Sequence, residues 1–364
     1  MLRFAIMLIK GFEKENIDVI CWKPLVVFGF FFKQTNTGLG KWMAYVDKWL
    51  LFPLILRFRV LFINKKKHTI RFHICDHSNA PYAGSLPKEL TSITCHDVLA
   101  IQGALGYPNT YCEASGMGKK LQKWILKHLQ QVNKLAAVSQ YTLNQLEEIS
   151  DSVSTINRDW KVIHNAFNEQ FYPIDRDVAV GQLTSINEAF NQPYLLHVGS
   201  DLPRKNRKLL VDMIVILGDR WSGNLCFAGQ AIDAGLQAYI KEKGIEDRVI
   251  SLVNPDHQIL LALYSACEAF FFPSFSEGFG WPIIEAQACR APVIVSNIEP
   301  MPEVSGGVAL YADPNDAKSF VEAFIKLMDS NERDVYVQQG EGNVQQYHID
   351  IMIEKYLDLM DLKK

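Results

Sequence analysis

Residues 271–300 read FFPSFSEGFGWPIIEAQACRAPVIVSNIEP, and this stretch decides the fold class of the chain. A short apolar run ends at Pro273 and a glycine-rich loop follows. A helical pattern then starts at Pro282, because proline is favoured in a first helical turn. A second apolar run occupies residues 292–295. This succession of strand, loop, helix and strand indicates a βαβ unit, in which the two strands are parallel.

The same alternation of apolar runs, turn-forming loops and helical periods extends over most of the 364 residues. It is interrupted between residues 174 and 191, where the chain becomes polar and loses its period, as expected of a linker between domains. A chain of this length has room for two domains. We therefore predict an α/β protein with two Rossmann-like, doubly wound domains that face each other across a cleft. Ligands are expected at the carboxyl ends of the strands.

Charge and cysteine content argue against several classes of protein. The 37 basic and 40 acidic residues leave a net charge of −3, which argues against a protein that binds nucleic acid over its whole surface. The seven cysteines are scattered and form no Cys-x-x-Cys pair, so neither a zinc cluster nor a disulfide framework is expected. Reduced thiols, together with first residues that do not resemble a secretory signal, predict a cytoplasmic protein.

Residues 41–67 combine aromatic and basic side chains. Charged residues and Pro53 interrupt the apolar pattern, so this segment is not expected to span a membrane. Two interpretations stay open: a core helix followed by a short second helix, or a surface that touches anionic lipid at the inner face of a membrane. The residues on which the second interpretation depends are Trp42, Trp49, Phe52, Phe58 and Phe62, with Lys41, Lys48, Arg57, Arg59 and the lysines at 65–67.

Two carboxylates flank the glycine-rich loop. Glu285 is expected in the first turn of the following helix, facing outward, where it can accept hydrogen bonds from vicinal hydroxyls such as those of a ribose. Glu277 can do the same for a second sugar ring. Gly278 and Gly280 let the backbone approach a ligand, and the unpaired N–H groups at the helix start suit a phosphate. The alternatives are simple compensation of the helix dipole by Glu285 and a solvated loop position for Glu277.

The stretch SEGFGWPIIEA resembles the Glu-x7-Glu signature of the retaining, nucleotide-sugar-dependent glycosyltransferases of family 4, which have the GT-B fold. Glu277 and Glu285 have the spacing of that signature, and the Gly-Phe-Gly-x-Pro core between them matches as well. The resemblance extends over residues 69–364. Further stretches similar to motifs of the same family are TCHDVLA, AAVSQYT, VIHNAFNEQFYP, LLHVGSDLPRKN and ACRAPVIVSNIEPMPEVSGGVALYADPNDA.

The resemblance implies a role for each matched residue of the second domain. Lys205 and Arg204 would neutralise the diphosphate leaving group, whose charge develops as the glycosidic bond breaks. Glu277 would hold a hydroxyl of the transferred sugar, and Glu285 would hold the ribose. The remaining donor contacts would come mainly from the backbone, at Gly278, Phe279, Gly280 and Asn254.

One departure from the family pattern concerns the loop before Lys205. The family often has an arginine directly after the glycine that matches Gly199, whereas this chain has Ser200. The division of work between Arg204 and Lys205 therefore stays open.

In the first domain, the resemblance implies that Gly38 and Gly40 let a loop approach the diphosphate. His96 would face the transferred sugar and the acceptor, and His77 would line the acceptor side. The residues themselves leave simpler alternatives open. These are an ordinary turn at the two glycines, a structural role for His96, and a loop-capping cluster around His77.

The resemblance also implies domain limits and a reaction. Residues 1–172 would form the acceptor-binding domain together with a C-terminal helix at 346–364, and residues 173–345 would bind the nucleotide sugar. The donor would be a UDP- or GDP-linked sugar, and the acceptor a glycan or lipid-linked hydroxyl of polysaccharide biosynthesis. The expected chemistry is front-face attack with retention, without metal or other cofactor. A non-catalytic nucleotide-sugar-binding scaffold and a GT-B-type epimerase remain alternatives, and no nucleic-acid partner is expected.

Overall fold

The computed structural model describes residues 2–28, 30, 38–63, 69–108, 110–150 and 158–363. The chain divides into two compact units. The first contains Met1–Val138, Thr142–Ile163 and Ile349–Lys364, and the second contains Ser139–Tyr141 and His164–His348. The strands are β1 (Phe72–Ile74), β2 (Thr91–Cys95), β3 (Lys134–Ala137), β4 (Asp159–Val162), β5 (Tyr194–Gly199), β6 (Asn224–Gly229), β7 (Val249–Val253), β8 (Ala269–Phe272), β9 (Val293–Ser296) and β10 (Leu310–Ala312).

Helices cover much of the remaining chain. They are α1 (Leu2–Lys14), α2 (Gly38–Val46), α3 (Phe52–Phe62), α4 (Leu99–Leu105), α5 (Gly116–Leu129), α6 (Gln140–Glu148), α7 (Arg176–Thr184), α8 (Arg207–Leu217), α9 (Ala234–Glu242), α10 (His257–Ala266), α11 (Trp281–Ala288), α12 (Met301–Ser305), α13 (Ala317–Leu327), α14 (Ser330–Asn343) and α15 (Ile349–Leu359).

The first unit is built on a four-stranded sheet of order β1-β2-β3-β4, in which every pairing is parallel. All five residues of β2 are buried, as expected of a central strand that is covered on both faces. Ile93 of β2 lies opposite Leu135 of β3, and both belong to the core of this unit. The predicted α/β class is confirmed here.

The last helix, α15, packs in the first unit against its sheet and against α1. The Tyr356 hydroxyl is 2.7 Å from Thr94 Oγ1, which in turn lies 2.9 Å from His73 Nε2. The other ring nitrogen of His73 lies 2.8 Å from Ser92 Oγ. This buried chain of hydrogen bonds joins the end of the sequence to the first two strands.

The boundary between the units lies before the predicted position at residues 172–173. The segment preceding that position packs in the second unit: Trp281 Nε1 donates to the Ala166 carbonyl (2.9 Å), and the Phe167 N–H donates to the Tyr347 carbonyl (3.3 Å). Tyr347, expected in the C-terminal helix of the first domain, also stays in the second unit, where its hydroxyl donates to the Val304 carbonyl (2.9 Å).

The second unit contains a six-stranded sheet of order β10-β9-β8-β5-β6-β7, and all its pairings are parallel. Its strands are short apolar runs, and β8 is buried at every position. From β5 the chain adds strands in one direction, and from β8 it adds them in the other. The neighbouring pair β5–β8 is therefore the topological switch point, the position at which α/β sheets bind ligands.

Residues 38–62 of the first unit form α2, a π-type turn at Asp47–Leu51, and α3. Phe52 is buried in the core, and Trp49 packs against Tyr82 and Trp124. The prediction that these two aromatic residues belong to a lipid-facing surface is therefore wrong, because they lie on the inner face of the segment. The lysines at 65–67 fall outside the described residues. Among the helices that the structure describes, none has both the length and the apolarity to cross a membrane.

Candidate functional site

The loops after β5 and β8 lie side by side at the switch point of the second unit. Asn206 joins them, since its side-chain amide donates to the Pro273 carbonyl at 3.2 Å and to the Pro314 carbonyl at 2.8 Å. Its backbone is left-handed, with φ of 53°, a conformation that asparagine tolerates better than most residues. The Phe275 N–H also donates to the Arg204 carbonyl (2.8 Å). These bonds fix the position of the cationic loop relative to the glycine-rich loop.

Three of the predicted site residues meet where these loops join. Glu277 Oε1 lies 2.6 Å from Lys205 Nζ, and Glu277 Oε2 lies 2.6 Å from Arg204 Nη1. Arg204 Nη1 also donates to the Ser276 carbonyl at 2.8 Å, and Lys205 Nζ lies over the Phe272 ring. Glu277 and Lys205 are buried. The structure thus brings together one carboxylate and two cations, which makes Glu277 a fixed partner of the cations and not a solvated loop residue.

Burial and charge act in opposite directions on this cluster. Burial would raise the pKa of Glu277, but the charges of Lys205 and Arg204 outweigh it and hold that pKa below its usual value. Burial lowers the pKa of Lys205, and Glu277 opposes that shift. Removal of the carboxylate would leave two cations together in a poorly solvated place. An anionic ligand such as a diphosphate is suited to the same position.

Two residues that support this site were missed in the sequence. Arg207 is buried and donates to the Gly199 carbonyl (2.6 Å) and the Gln230 carbonyl (3.0 Å), so it fixes the end of β5. His197 is fully buried, bonds the Phe271 carbonyl through Nδ1 (3.1 Å), and has a pKa lowered to about 3, chiefly by burial. Arg207 stands in the same basic run as Lys205, but nothing in that run separates a structural arginine from a ligand-binding one.

The glycine-rich loop is held by its own backbone and by one buried ring. The Gly278 carbonyl accepts a hydrogen bond from Ser139 Oγ (2.7 Å). The Phe279 ring is buried against His164, Tyr347 and Trp281, which leaves its main chain as the part suited to a ligand. Gly280 has φ of 104°, and a Cβ there would lie 3.1 Å from Ile283 Cδ1. A side chain at position 280 would therefore be strained as well as crowded.

The expectation that Glu285 faces outward from the first turn of its helix is wrong. Helix α11 begins at Trp281, so Glu285 lies beyond the first turn and is buried. Its Oε2 accepts a hydrogen bond from the Tyr264 hydroxyl at 2.9 Å. Burial, followed by the nearby Glu285 charge, raises the pKa of Tyr264 well above its usual value. Tyr264 thus orients the carboxylate, and because it stands on α10, no local pattern around Glu285 indicates it.

Asn254 lies in the loop that follows β7. It is exposed, has a left-handed φ of 47°, and donates its N–H to the Gly229 carbonyl at 2.7 Å. Gly229 ends β6, and a Cβ on it would come within 2.6 Å of the Gly199 carbonyl oxygen. The ends of β5, β6 and β7 are therefore linked at one edge of the sheet, and Asn254 belongs to that edge.

His96 and His77 lie in the first unit. His96 follows β2, is buried, and donates Nε2–H to the Cys75 carbonyl (2.9 Å), while Phe4 of α1 packs edge-on against its ring. Burial lowers the pKa of His96 to about 4, so the ring is neutral near pH 7. His77 is buried and lies 3.6 Å from Asp76, which also accepts a hydrogen bond from the Ser78 N–H (2.8 Å). The loop-capping cluster considered for this stretch is present.

Gly38 and Gly40 occupy a different kind of element from the one predicted. The prediction of a loop at this position is wrong, because both glycines lie in the first turn of α2 and Gly40 is buried. The residues after them, Lys-Trp-Met-Ala-Tyr-Val, contain no proline or further glycine that would stop a helix.

A third carboxylate of the second unit, Glu303, was not predicted as part of a site. Glu303 Oε1 accepts hydrogen bonds from the Gln140 N–H (2.6 Å) and lies 2.8 Å from His164 Nε2, while Oε2 accepts from the Tyr141 N–H (3.2 Å). Burial would raise the pKa of Glu303, but these donors outweigh it and lower the pKa. Glu303 thereby joins α12 to residues 140–141 and to His164, which lie far earlier in the sequence. Within the described residues, no three His, Cys, Asp or Glu side chains are grouped as metal ligands.

The fold and the site together indicate which kind of substrate the second unit can bind. A buried carboxylate between two cations, at the switch point of a parallel sheet, is suited to a substrate that carries both phosphate and hydroxyl groups. The sequence model of the glycosyl transferases group 1 family matches residues 184–342, which include this site. Residues 184–342 are therefore similar to that family, in agreement with the resemblance of the motifs.

Curated relatives match over part of their length. The chain is 33% identical over 162 residues to O-antigen chain mannosyltransferase B of Escherichia coli, which covers 43% of this chain and 42% of the relative. It is 27% identical over 232 residues to the O-antigen chain mannosyltransferase RfbU of Salmonella typhimurium, covering 64% of this chain and 59% of the relative. The chain thus spans about half the length of these relatives.

Solved structures match over more of the chain. WaaG, a glycosyltransferase involved in lipopolysaccharide biosynthesis, gives a TM-score of 0.68 at 14% identity, over 98% of this chain and 95% of that protein. Anabaena HepE, solved with UDP-glucose, gives 0.63 at 15% identity, over 78% of this chain and 75% of that protein. Likeness at this level of identity concerns the fold, and it confirms the predicted GT-B class.

Proposed function

We propose that this protein is a retaining glycosyltransferase that moves a sugar from a nucleoside diphosphate donor to a hydroxyl of a glycan or lipid-linked acceptor. The observation that supports it most directly is the placement of Glu277 between Lys205 and Arg204 at the switch point. The cations suit the diphosphate, and the carboxylate suits a sugar hydroxyl. The match of residues 184–342 to the group 1 glycosyl transferases supports the same reaction.

The proposed donor site uses four side chains in distinct roles. The diphosphate takes Lys205 and Arg204 as its counter-ions, which releases Glu277 to accept a hydrogen bond from the sugar. Glu285, oriented by Tyr264, accepts hydrogen bonds from the ribose. The main chain at 278–280 lies along the sugar and phosphates, because the Phe279 ring is turned inward.

We propose that transfer proceeds by front-face attack. The acceptor oxygen forms a bond to the anomeric carbon on the side from which the diphosphate departs, as the bond from that carbon to the phosphate oxygen breaks. The proton of the acceptor hydroxyl passes to the departing phosphate oxygen, so atoms and charge balance and the anomeric configuration is retained. Lys205 and Arg204 stabilise the negative charge that develops on the leaving group. No metal is required for this step.

The names of the relatives suggest which sugars to test first. Two relatives are O-antigen mannosyltransferases, and HepE was solved with UDP-glucose. We propose a mannosyl donor, carried by GDP or UDP, as the first candidate and UDP-glucose as the second. The proposed place of action is the cytoplasm at the inner face of a membrane, which agrees with seven free cysteines.

Thermal unfolding in the presence of UDP, GDP, ADP and their sugar conjugates tests the donor. A ligand at a hundredfold its Kd adds about 2.7 kcal/mol to the free energy of unfolding, an easily measured shift. The Lys205→Ala variant is expected to lose the shift, and Glu341→Gln, which alters an exposed ion pair with Arg290, is expected to keep it.

Product analysis by NMR then tests the reaction. Retention in the product supports front-face attack, and inversion contradicts it. Donor binding without either transfer or slow donor hydrolysis would favour the non-catalytic scaffold. Release of a free epimerised sugar without an acceptor would favour the epimerase.

A further inference from the structure

The outer face of α3 and the π-type turn before it is apolar along its whole length. Leu50, Leu54, Phe58, Leu61 and Phe62 recur at intervals of three and four residues, which is the spacing of one helix face. Their exposed fractions range from 52% to 84%. The opposite face, with Phe52 and Leu56, is buried in the core of the first unit. An exposed apolar patch of this kind on a helix whose other face is already buried marks a site of contact with a partner or a membrane.

A second segment extends this surface. The Val27 and Phe28 N–H groups each donate to the Asp47 carboxylate at 3.0 Å, which holds the segment beside the π-type turn. Val26 and Phe28 are exposed there. Asp47 is buried and its carboxylate accepts these backbone N–H groups, so it adds no negative charge to the exposed surface. We name the five residues of the helix face and these two the apolar ridge.

The charges next to the apolar ridge have one sign. Residues 48–63 contain no acidic side chain, and they contain Lys48, Arg57 and Arg59. Arg57 and Arg59 are exposed. A row of leucine and phenylalanine side chains with arginines beside it matches the boundary between acyl chains and anionic headgroups, since each group then meets its preferred environment.

We propose that the apolar ridge docks on an anionic lipid bilayer, inserting Leu50, Leu54, Phe58, Leu61 and Phe62 into the interface while Arg57 pairs with headgroup phosphate. The docking surface differs from the simple aromatic and basic pattern of residues 41–67. Trp49 and Phe52 take no part, and three leucines, together with Val26 and Phe28, take their place. This binding does not depend on the proposed transfer reaction, because it concerns other residues and is measured without donor or acceptor.

Vesicle flotation with the full chain tests the docking surface. The wild-type protein is expected to float with vesicles of phosphatidylcholine and phosphatidylglycerol in about equal parts, and to float less with phosphatidylcholine alone. A Phe58→Ser/Phe62→Ser variant is expected to bind the anionic vesicles at least tenfold more weakly. Arg57→Gln is expected to weaken binding about fivefold, because one basic side chain near such a surface contributes roughly that factor.

Val335→Ser is the matched control, since Val335 is an exposed apolar residue of α14 in the second unit. It is expected to float like the wild type. An unchanged melting temperature in the double serine variant would show that its fold is intact, as the exposure of both side chains predicts. Wild-type protein that stays unbound to both vesicle types would overturn the proposal. Equal flotation of the wild type and the double variant would also overturn it. So would a wild-type protein that is dimeric and binds no lipid, together with a double variant that is monomeric.

Discussion

Replacement of Glu277 by glutamine separates the two roles proposed for this residue, as counter-charge to two cations and as acceptor for a sugar hydroxyl. Glutamine preserves the shape of the side chain but removes the negative charge that lies 2.6 Å from both Lys205 and Arg204. Two cations then share a buried place without a counter-charge. We expect the free protein to become less stable, the nucleoside diphosphate to bind more tightly, and sugar transfer to be lost.

The magnitude follows from the burial of the ion pairs. Removal of one partner from a buried, hydrogen-bonded pair costs about 3–5 kcal/mol, because the remaining charge has lost both water and its partner. A diphosphate that binds the same cations restores part of that loss. If it restores about half of 3 kcal/mol, the Kd for UDP or GDP falls about tenfold. Transfer nevertheless falls, since the amide is a poorer acceptor for the sugar hydroxyl than the carboxylate.

Calorimetric binding of UDP and GDP and thermal unfolding measure both effects on one preparation. Glu341→Gln is the control, because Glu341 makes an ion pair of the same length, 2.6 Å, with Arg290 at the surface. An exposed pair contributes at most about 1 kcal/mol, so this variant should unfold and bind almost as the wild type does. Weaker nucleotide binding in Glu277→Gln, with unchanged stability, would refute the view that Glu277 and the diphosphate compete for the same cations.

The free energy of unfolding should fall as the pH is lowered from 6.5 to 4. Folding lowers the pKa of three buried histidines, chiefly by burial, so at these residues only the unfolded chain binds protons in this range. Each histidine contributes a slope of about 1.4 kcal/mol per pH unit. The histidines are His73, His96 and His197, with pKa values of about 3, 4 and 3. Urea unfolding midpoints measured across this pH range check the prediction, and midpoints that do not change with pH would contradict it. Glu285→Ala and Lys205→Ala should each lower transfer at least tenfold, about 1.4 kcal/mol of barrier, and wild-type rates in both would disprove the site. Tyr264→Phe should raise the KM for donor several-fold with little change in kcat, as expected of a positioning residue; an unchanged KM would deny it that role. Transfer should continue at full rate in excess chelator, and complete loss would show that a metal is needed.

The sequence predicts the candidate site of the second unit in some detail. The apolar run before Pro273 and the loop that carries Glu277 form a strand and turn at the expected positions. Lys205 lies near Glu277 because the loops after β5 and β8 meet at the switch point. Such contacts can be anticipated, since the carboxyl ends of neighbouring parallel strands share an edge of the sheet. What the side chains do there stays a prediction.

Contacts between distant helices could not be predicted in this way. The outward orientation predicted for Glu285 is wrong because α11 begins at Trp281, one residue before the predicted start, and because its partner Tyr264 stands on another helix. The loop predicted at Gly38 and Gly40 rested on two glycines, a weak signal that the helix-compatible residues after them outweigh. No pattern in residues 1–24 predicts the packing of α1, in which Phe4 lies against His96.

The position of α15 has a consequence for synthesis of the chain. Tyr356 closes the hydrogen bonds of Thr94 and His73, yet it follows the whole second unit in sequence. A ribosome that adds about 5–20 residues per second therefore completes the second unit while the first still lacks its last helix, for on the order of ten seconds. The half of the molecule that emerges first is finished last, and the surface reserved for α15 remains uncovered during that interval.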